Sequence, residues 1–252
     1  MSVELITLLM FGLMALLLAI GLPLAVVTGL IAVVFGLVLF GPGSLQLLAS
    51  RIYSFINEFV LLSVPMFILM ASLLERSGVA KDLFNAMRIW AGGLRGGLAI
   101  QTMVVAVIMA AMTGIIGGEV VLLGLVALPQ LLRLGYDKRL AIGTICAGGS
   151  LGSMIPPSVV LVIYGLTVNV SIGDLFTAAV MPGLLLASLY IAYIFLRCHF
   201  NAELGPALPV EERVSSLRGK LALLKGLALP LLVAGSMLGT IYTGVASVTA
   251  VS

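Results

Sequence analysis

Residues suited to binding ions interrupt two long apolar stretches of this 252-residue chain. One interruption is Gly148–Pro157, GGSLGSMIPP, and the other is Thr113–Gly118, TGIIGG. Proline lacks an amide donor and clashes with the preceding helical turn, so the Pro156–Pro157 pair must break a helix. Half-helix N termini offer free amides to a carboxylate, while unwound carbonyls and hydroxyl groups suit a hard cation such as sodium. The two breaks are therefore the candidate ligand-binding elements.

Side chains within the breaks add hydroxyl groups and one acid. The hydroxyl candidates are Thr113, Ser150, Ser153 and Ser158. Glu119 follows the first break directly and has two interpretations: a functional intramembrane carboxylate, or a residue that complements the dipole at the start of a helix. The breaks also have an alternative interpretation as kinks without a ligand, because Gly and Pro are common in membrane helices.

The elements that must position these residues are membrane helices. The chain is 62% hydrophobic and 9% charged, whereas soluble domains are about a quarter charged. The composition predicts an all-α polytopic membrane protein, and the sequence pI near 9.0 is attributed to charged loops rather than to nucleic-acid binding. Segments long enough to cross a bilayer are predicted at 4–21, 23–40, 57–74, 139–165, 175–196 and 221–243.

Basic residues predict the topology. The stretch 96–132 is split by Thr113–Gly118, and basic residues such as Arg95 and Arg133 flank both of its ends. Because positive loops stay in the cytoplasm, both ends lie on that side, and the stretch is predicted to be a re-entrant hairpin. The N terminus is then periplasmic. With Glu4 and no preceding basic residue, it is not expected to be a cleaved signal peptide.

The chain is predicted to have five regions. Residues 1–75 hold the first spans and 76–95 a cytoplasmic amphipathic helix, either a plain interfacial helix or a regulatory one. Residues 96–196 hold the hairpin, the broken helix and the next span. A cytoplasmic connector at 197–220 then leads to 221–252, the expected first span of a second, inverted repeat.

The run 112–186 resembles the large membrane subunit of the tripartite ATP-independent periplasmic (TRAP) transporters. The most specific pieces are LPQLLRLGYDK (128–138), SLGSMIPPSVVLVIYG (150–165) and SIGDLFTAAVMPG (171–183). The resemblance implies an elevator-type, sodium-coupled uptake of an organic acid such as a dicarboxylate across the bacterial inner membrane. It also implies two partners, a small membrane subunit and a periplasmic substrate-binding protein.

The resemblance further implies that the two breaks together form an ion site beside the substrate. The implied sodium-site residues are Thr113, Gly114, Gly117, Gly118, Gly149, Ser150, Gly152 and Pro156. The implied substrate-site residues are Gly114, Glu119, Ser153, Pro157 and Ser158. No cofactor other than the coupling ion is expected.

The chain departs from the family pattern in two ways. The family commonly has Ser-Gly-Ser-Ser at the first break, where this chain has Thr-Gly-Ile-Ile at 113–116, which leaves the identity of the ion open. Family members are also much longer, so the chain is expected to be a fragment that lacks the second hairpin and the second ion site.

Other function classes fit the sequence less well. A membrane enzyme is not expected, because His199 is the sole histidine and no HExxH motif or intramembrane acid pair is present. An ATP-driven permease would need a coupling loop that the sequence lacks. A channel-like or structural membrane subunit remains the alternative, since polar breaks also line pores.

Overall fold

The computed structural model describes residues 2–78, 82–84, 93–115 and 117–209, together with positions 232, 235, 236 and 239. These residues form helices joined by short turns, with no strand in the part described, which confirms the predicted all-α class. Most of the predicted amphipathic helix at 76–95, the connector beyond residue 209 and the predicted span at 221–243 lie outside the described residues. The described chain divides into two compact units, with the boundary after Glu58.

The first unit is three helices: α1 (Val3–Ala19), α2 (Leu24–Phe40) and α3 (Gly43–Ile56). Ser2 begins α1, where its hydroxyl accepts a hydrogen bond from the amide of Leu5, as a helix-capping serine does. Most apolar side chains of α1 and α2 are exposed. Such a surface is expected of helices that face lipid rather than water.

The second unit begins with a 3₁₀ turn (Phe59–Leu62) and α4 (Ser63–Arg76). It continues with α5 (Gly97–Thr113), α6 (Gly118–Val126) and the short α7 (Leu128–Arg133). Its last three helices are α8 (Lys138–Ser150), α9 (Val159–Val168) and α10 (Ile172–Phe200). Predicted span 139–165 is therefore α8 and α9 with the Gly/Pro-rich break between them.

The core of the second unit is α5, whose side chains are buried along most of its length. It packs against α6, α8 and α10, and its buried residues include Met103, Ala106 and Met109. Gly148 of α8 permits this packing, because an added Cβ there would lie 2.9 Å from the Cβ of Ala106. Leu83 and Phe84 of the predicted amphipathic helix are buried in the same core.

Three segments of the chain meet at one end of this unit. They are residues 94–98, which lead into α5, residues 136–137 and residues 201–205, and we call them the loop junction. The amide of Gly96 donates to the carbonyl of Gly205 at 2.8 Å. An added Cβ on Gly205 would lie 2.7 Å from the sulfur of Cys198 and 3.1 Å from the Cα of Gly96. The chain before α5 and the chain after α10 are thus in direct contact.

The loop between α7 and α8 completes the loop junction. The amide of Asp137 donates to the carbonyl of Leu204 at 3.0 Å, and the amide of Leu98 donates to the hydroxyl of Tyr136 at 3.1 Å. Tyr136 is buried, and loss of solvent raises the pKa of its phenol to about 12. The start of α5 and the end of α7 therefore lie at the same end of the unit.

By length and hydropathy, one helix in the described residues, α10, is able to cross a bilayer alone. Residues 43–74, in two helical pieces, meet the same criterion when taken together. Pro182 lies inside α10, and membrane helices tolerate such a proline where neighbours satisfy the freed backbone groups. Helix α3 was not predicted as an element; it lies in a stretch treated as a connection between spans.

Candidate functional site

The first break is a tight turn between α5 and α6. Helix α5 ends at Thr113, and Gly114 follows it with φ +63°, in the left-handed region that glycine adopts most easily. Gly117, with φ +101°, leads into α6, which begins at Gly118. The spacing of glycines in TGIIGG thus sets the positions at which the chain reverses, and we call residues 113–118 the tip.

The second break lies between α8 and α9. Helix α8 ends at Ser150, a 3₁₀ turn covers Leu151–Ser153, and α9 begins at Val159. The Pro156–Pro157 peptide bond is cis, and Ser158 has an extended backbone before α9. The sequence predicted an interrupted helix here, and the structure confirms it.

The tip and the second break touch through their backbones. The amide of Val159 donates to the carbonyl oxygen of Gly114 at 3.0 Å. An added Cβ on Gly114 would lie 2.2 Å from the carbonyl oxygen of Pro157, which is closer than any real side chain could approach. Gly114 is therefore required both for its backbone angle and for this contact.

Glu119 faces the same region from the first turn of α6. Its carboxylate oxygen Oε1 contacts the hydroxyl of Thr113, which also lies 3.0 Å from the carbonyl oxygen of Met109. Thr113 and Glu119 are each 1% exposed. The hydroxyl of Thr113 therefore lies between the carboxylate of Glu119 and the last turn of α5.

Two glycines of the second break pack on the start of α6. An added Cβ on Gly152 would lie 2.9 Å from Oε2 of Glu119. An added Cβ on Gly149 would lie 2.2 Å from a methyl carbon of Val120. The carboxylate of Glu119 is thus placed against the unwound turn of the second break.

The three serines of the second break make local hydrogen bonds. The exposed Ser150 donates to the carbonyl of Ala147 at 2.7 Å, and Ser153 donates to the carbonyl of Ser150 at 2.7 Å. Ser158 is 0% exposed and donates to the carbonyl of Ser153 at 2.9 Å. The hydroxyls of Ser150 and Ser153 therefore point back along their own turn, and Ser158 closes the loop that the two prolines create.

The structure therefore brings some of the predicted site residues together and leaves others apart. Those in mutual contact or directly adjacent at the tip–break interface are Thr113, Gly114, Glu119, Gly149, Gly152, Pro157 and Ser158. Gly117 and Ser150 are exposed, and an added Cβ on Gly117 would meet nothing within 4 Å. Val120 and Val159 contribute to the interface but were not predicted, since an apolar residue in an apolar stretch carries no sequence signal.

Comparison with known families matches residues 11–252 to the family described as "Tripartite ATP-independent periplasmic transporter, DctM component". A C4-dicarboxylate TRAP transporter large permease protein of Vibrio cholerae is 33% identical over 244 residues, which is 96% of this chain and 52% of that protein. The ectoine TRAP transporter large permease of Halomonas elongata is 29% identical, over 90% of this chain and 53% of its own. The sialic acid TRAP transporter large permease of Vibrio cholerae is also 29% identical, over 93% of this chain and 53% of that protein.

These relatives are transporters rather than enzymes, and their names give three different cargoes. The chain spans about half the length of the curated relatives that it matches. The match covers nearly the whole chain, including both breaks and the helices that carry them. The chain belongs to the DctM family of TRAP transporter large permease subunits.

Proposed function

We propose that this chain is part of a permease that takes up an organic acid across the bacterial inner membrane, coupled to sodium. It acts with a small membrane subunit and a periplasmic substrate-binding protein. Its N terminus faces the periplasm, and 96–132 is a re-entrant hairpin that moves with 139–196 as an elevator. The observation that carries the proposal is the backbone contact between Gly114 of the tip and Val159 of the second break.

The chemistry of this contact suits a small hard cation. The tip and the second break together supply backbone carbonyls, the hydroxyl of Thr113 and the carboxylate of Glu119, which are all oxygen donors. The implied sodium residues at the tip and at 149–156 lie on the elements that meet here. We propose that the coupling ion binds between these two elements.

Burial of Glu119 gives a reason for an ion at this place. An ionised carboxylate is costly to bury unless its charge is compensated. The N terminus of α6 provides partial compensation, because Glu119 lies in its first turn. A cation bound beside Thr113 and Glu119 would add to this compensation.

The substrate is proposed to bind next to the ion, where Ser158 and the N terminus of α9 offer amides and a hydroxyl to a carboxylate. Ser158 is buried in this structure, and the amide of Val159 is already bonded to the tip. Substrate entry therefore requires the tip and the second break to separate. The proposal assigns the tip the role of a gate over the substrate.

A transport assay separates this function from that of a channel or a structural subunit. A complete transporter carrying this segment is reconstituted in liposomes with its small subunit and binding protein. We expect uptake of a C4-dicarboxylate to saturate, to need the binding protein and to rise with external sodium. Uptake that is linear with substrate concentration and independent of the binding protein and of sodium would favour a channel. Uptake driven only by a proton gradient would exclude sodium coupling.

A further inference from the structure

A groove near the loop junction is separate from the tip–break site. It lies between α8 and α10, has a volume of about 530 Å³, and is bounded by Leu140 and Ala147 on α8 and by Leu189 and Tyr190 on α10. Its volume falls within the range of about 300–1,000 Å³ that is usual for small-molecule sites. The groove plays no part in the transport function proposed above.

The groove combines an apolar wall with a basic rim. Arg139, at the start of α8, and Arg197, near the end of α10, both line it and are both exposed. The guanidinium carbon of Arg197 lies 6.0 Å from the centre of the Tyr193 ring, which holds it over the rim. The groove thus offers two planar cationic groups at one end of an apolar cleft.

One acid belongs to the same rim, but it has another role. Asp137 lines the groove, and its carboxylate accepts the amide of Leu140 at 3.0 Å as the N-cap of α8. The rim therefore carries two positive charges and one negative charge, and exposed Lys138 lies beside it in the chain. The net charge favours an anion.

The apolar wall continues onto the exposed sides of both helices. Leu189 is 58% exposed and Ile142 is 52% exposed, so the cleft opens sideways rather than into a closed pocket. A small soluble anion would leave this wall unused. A phospholipid would use both parts, with its phosphate on the arginines and an acyl chain along the cleft.

We propose that this groove binds an anionic phospholipid of the cytoplasmic leaflet. Basic pockets between membrane helices on the cytoplasmic side are suited to anionic head groups, and the topology proposed above, on which this inference rests, puts this end of the protein on that side. Arginine pairs with phosphate through two parallel hydrogen bonds. The net positive charge of the rim favours a lipid whose phosphate is not balanced by a cationic head group. The lipid would contact both α8, which leads into the second break, and α10, which follows α9 in the chain.

The test uses the full chain purified in detergent and native mass spectrometry with added phosphatidylglycerol or phosphatidylcholine. We expect one phosphatidylglycerol to be retained in preference to phosphatidylcholine. The variant Arg139→Gln/Arg197→Gln should lower that preference by roughly fivefold for each arginine. The matched control, Arg51→Gln/Arg76→Gln, removes two exposed arginines elsewhere and should leave it unchanged.

A second variant tests the acyl chain without changing charge. Gly143 lines the groove, and an added Cβ on it would meet nothing within 4 Å. Gly143→Leu should therefore fold, fill the cleft and reduce retention of phosphatidylglycerol at least fivefold. Gly124→Leu, a change at another open helical glycine, is its control. Size-exclusion profiles confirm that all variants remain folded.

Several results would overturn the proposal. One is equal retention of phosphatidylglycerol and phosphatidylcholine by the unchanged chain. Another is a loss of phosphatidylglycerol retention in the control variants that equals the loss in the groove variants. Displacement of phosphatidylglycerol by millimolar inorganic phosphate would show a simple anion site. A photo-crosslinker at position 143 should label phospholipid in bacterial membranes; a polypeptide adduct there would assign the groove to a protein segment instead.

Discussion

The amide of Val159, at the first residue of α9, is held 3.0 Å from the carbonyl oxygen of Gly114, at the tip. Residues 45 positions apart in the sequence are thus joined where both of their helices are interrupted. The join has no space for a side chain, because an added Cβ on Gly114 would overlap the carbonyl of Pro157.

Gly114→Ala is expected to abolish sodium-dependent uptake in a complete transporter carrying this segment. The added methyl group must push the tip away from the second break, and φ +63° adds strain of about 1–2 kcal/mol. Gly135→Ala, at a glycine with φ +78° outside the site, introduces comparable strain with no contact within 4 Å and should retain most of the uptake. Equal loss in the two variants would mean that backbone strain, rather than the contact, is what matters.

Glu119→Gln tests the charge of the buried carboxyl group. The amide keeps the size of the side chain and a hydrogen bond to Thr113, but it removes the negative charge. We expect the sodium concentration for half-maximal uptake to rise about tenfold, or about 1.4 kcal/mol, which is near the lower end of what an interaction with a charged group contributes. Glu58→Gln, at an exposed carboxylate, is the control. An unchanged sodium dependence would leave Glu119 as a residue that complements the dipole of α6.

The double variant Pro156→Ala/Pro157→Ala is expected to lose uptake while inserting normally into the membrane. Alanine restores the amide donors and removes the ring clash, so α8 and α9 gain the means to continue into each other. Pro129→Ala, in the first turn of α7 where proline is tolerated, should be neutral. Uptake and membrane abundance are measured together, and normal uptake by the double variant would reduce the break to a kink.

Tyr136→Phe tests the loop junction through its pH dependence. Below pH 10 both the folded and the unfolded phenol are protonated, and the hydrogen bond from Leu98 contributes about 1 kcal/mol. Between pH 10 and about 12 the unfolded phenol ionises while the buried one resists, so folding stability falls as pH rises. Thermal unfolding in detergent should show this fall more steeply in the unchanged protein than in Tyr136→Phe. Parallel curves of stability against pH for the two proteins would mean that Tyr136 does not cause the loss of stability at high pH.

Reporter fusions test the topology. A reporter active only in the cytoplasm should be active after Arg95 and after Lys138. Both positions lie at the loop junction, which the proposed topology puts on the cytoplasmic side. It should be silent after Asn169, at the end of α9. Disagreement between the first two fusions would rule out the re-entrant hairpin, and with it the proposed meeting of tip and break within the membrane.

The sequence was sufficient to predict the breaks themselves. Glycine and proline act locally, so TGIIGG predicted the break between α5 and α6, and the Pro156–Pro157 pair predicted the break between α8 and α9. The family was also predicted and is confirmed. Helix α3 was missed because it is short and carries polar residues such as Gln46 and Arg51, whereas a membrane span is indicated by a long uninterrupted apolar stretch.

Contacts across the site were harder to predict, because they depend on how the helices pack. Nothing local in the sequence indicates that Gly152 lies against Glu119, or that Gly149 lies against Val120. Both glycines were predicted as places where a ligand could approach the backbone. In this structure it is the start of α6 that approaches them, and a ligand would have to share or replace that contact.

The loop junction also bears on how this protein can be divided. Leu204, Gly205 and the buried Leu208 follow α10, in the region predicted to be a connector, yet Leu204 and Gly205 are bonded to Asp137 and Gly96. The connector therefore begins as an integral part of the packed unit. Chimeras that exchange halves between relatives should therefore be joined after residue 209, and so should split versions expressed as two polypeptides. A cut at residue 200 would remove the segment 201–205, which connects the start of α5, the loop after α7 and the end of α10.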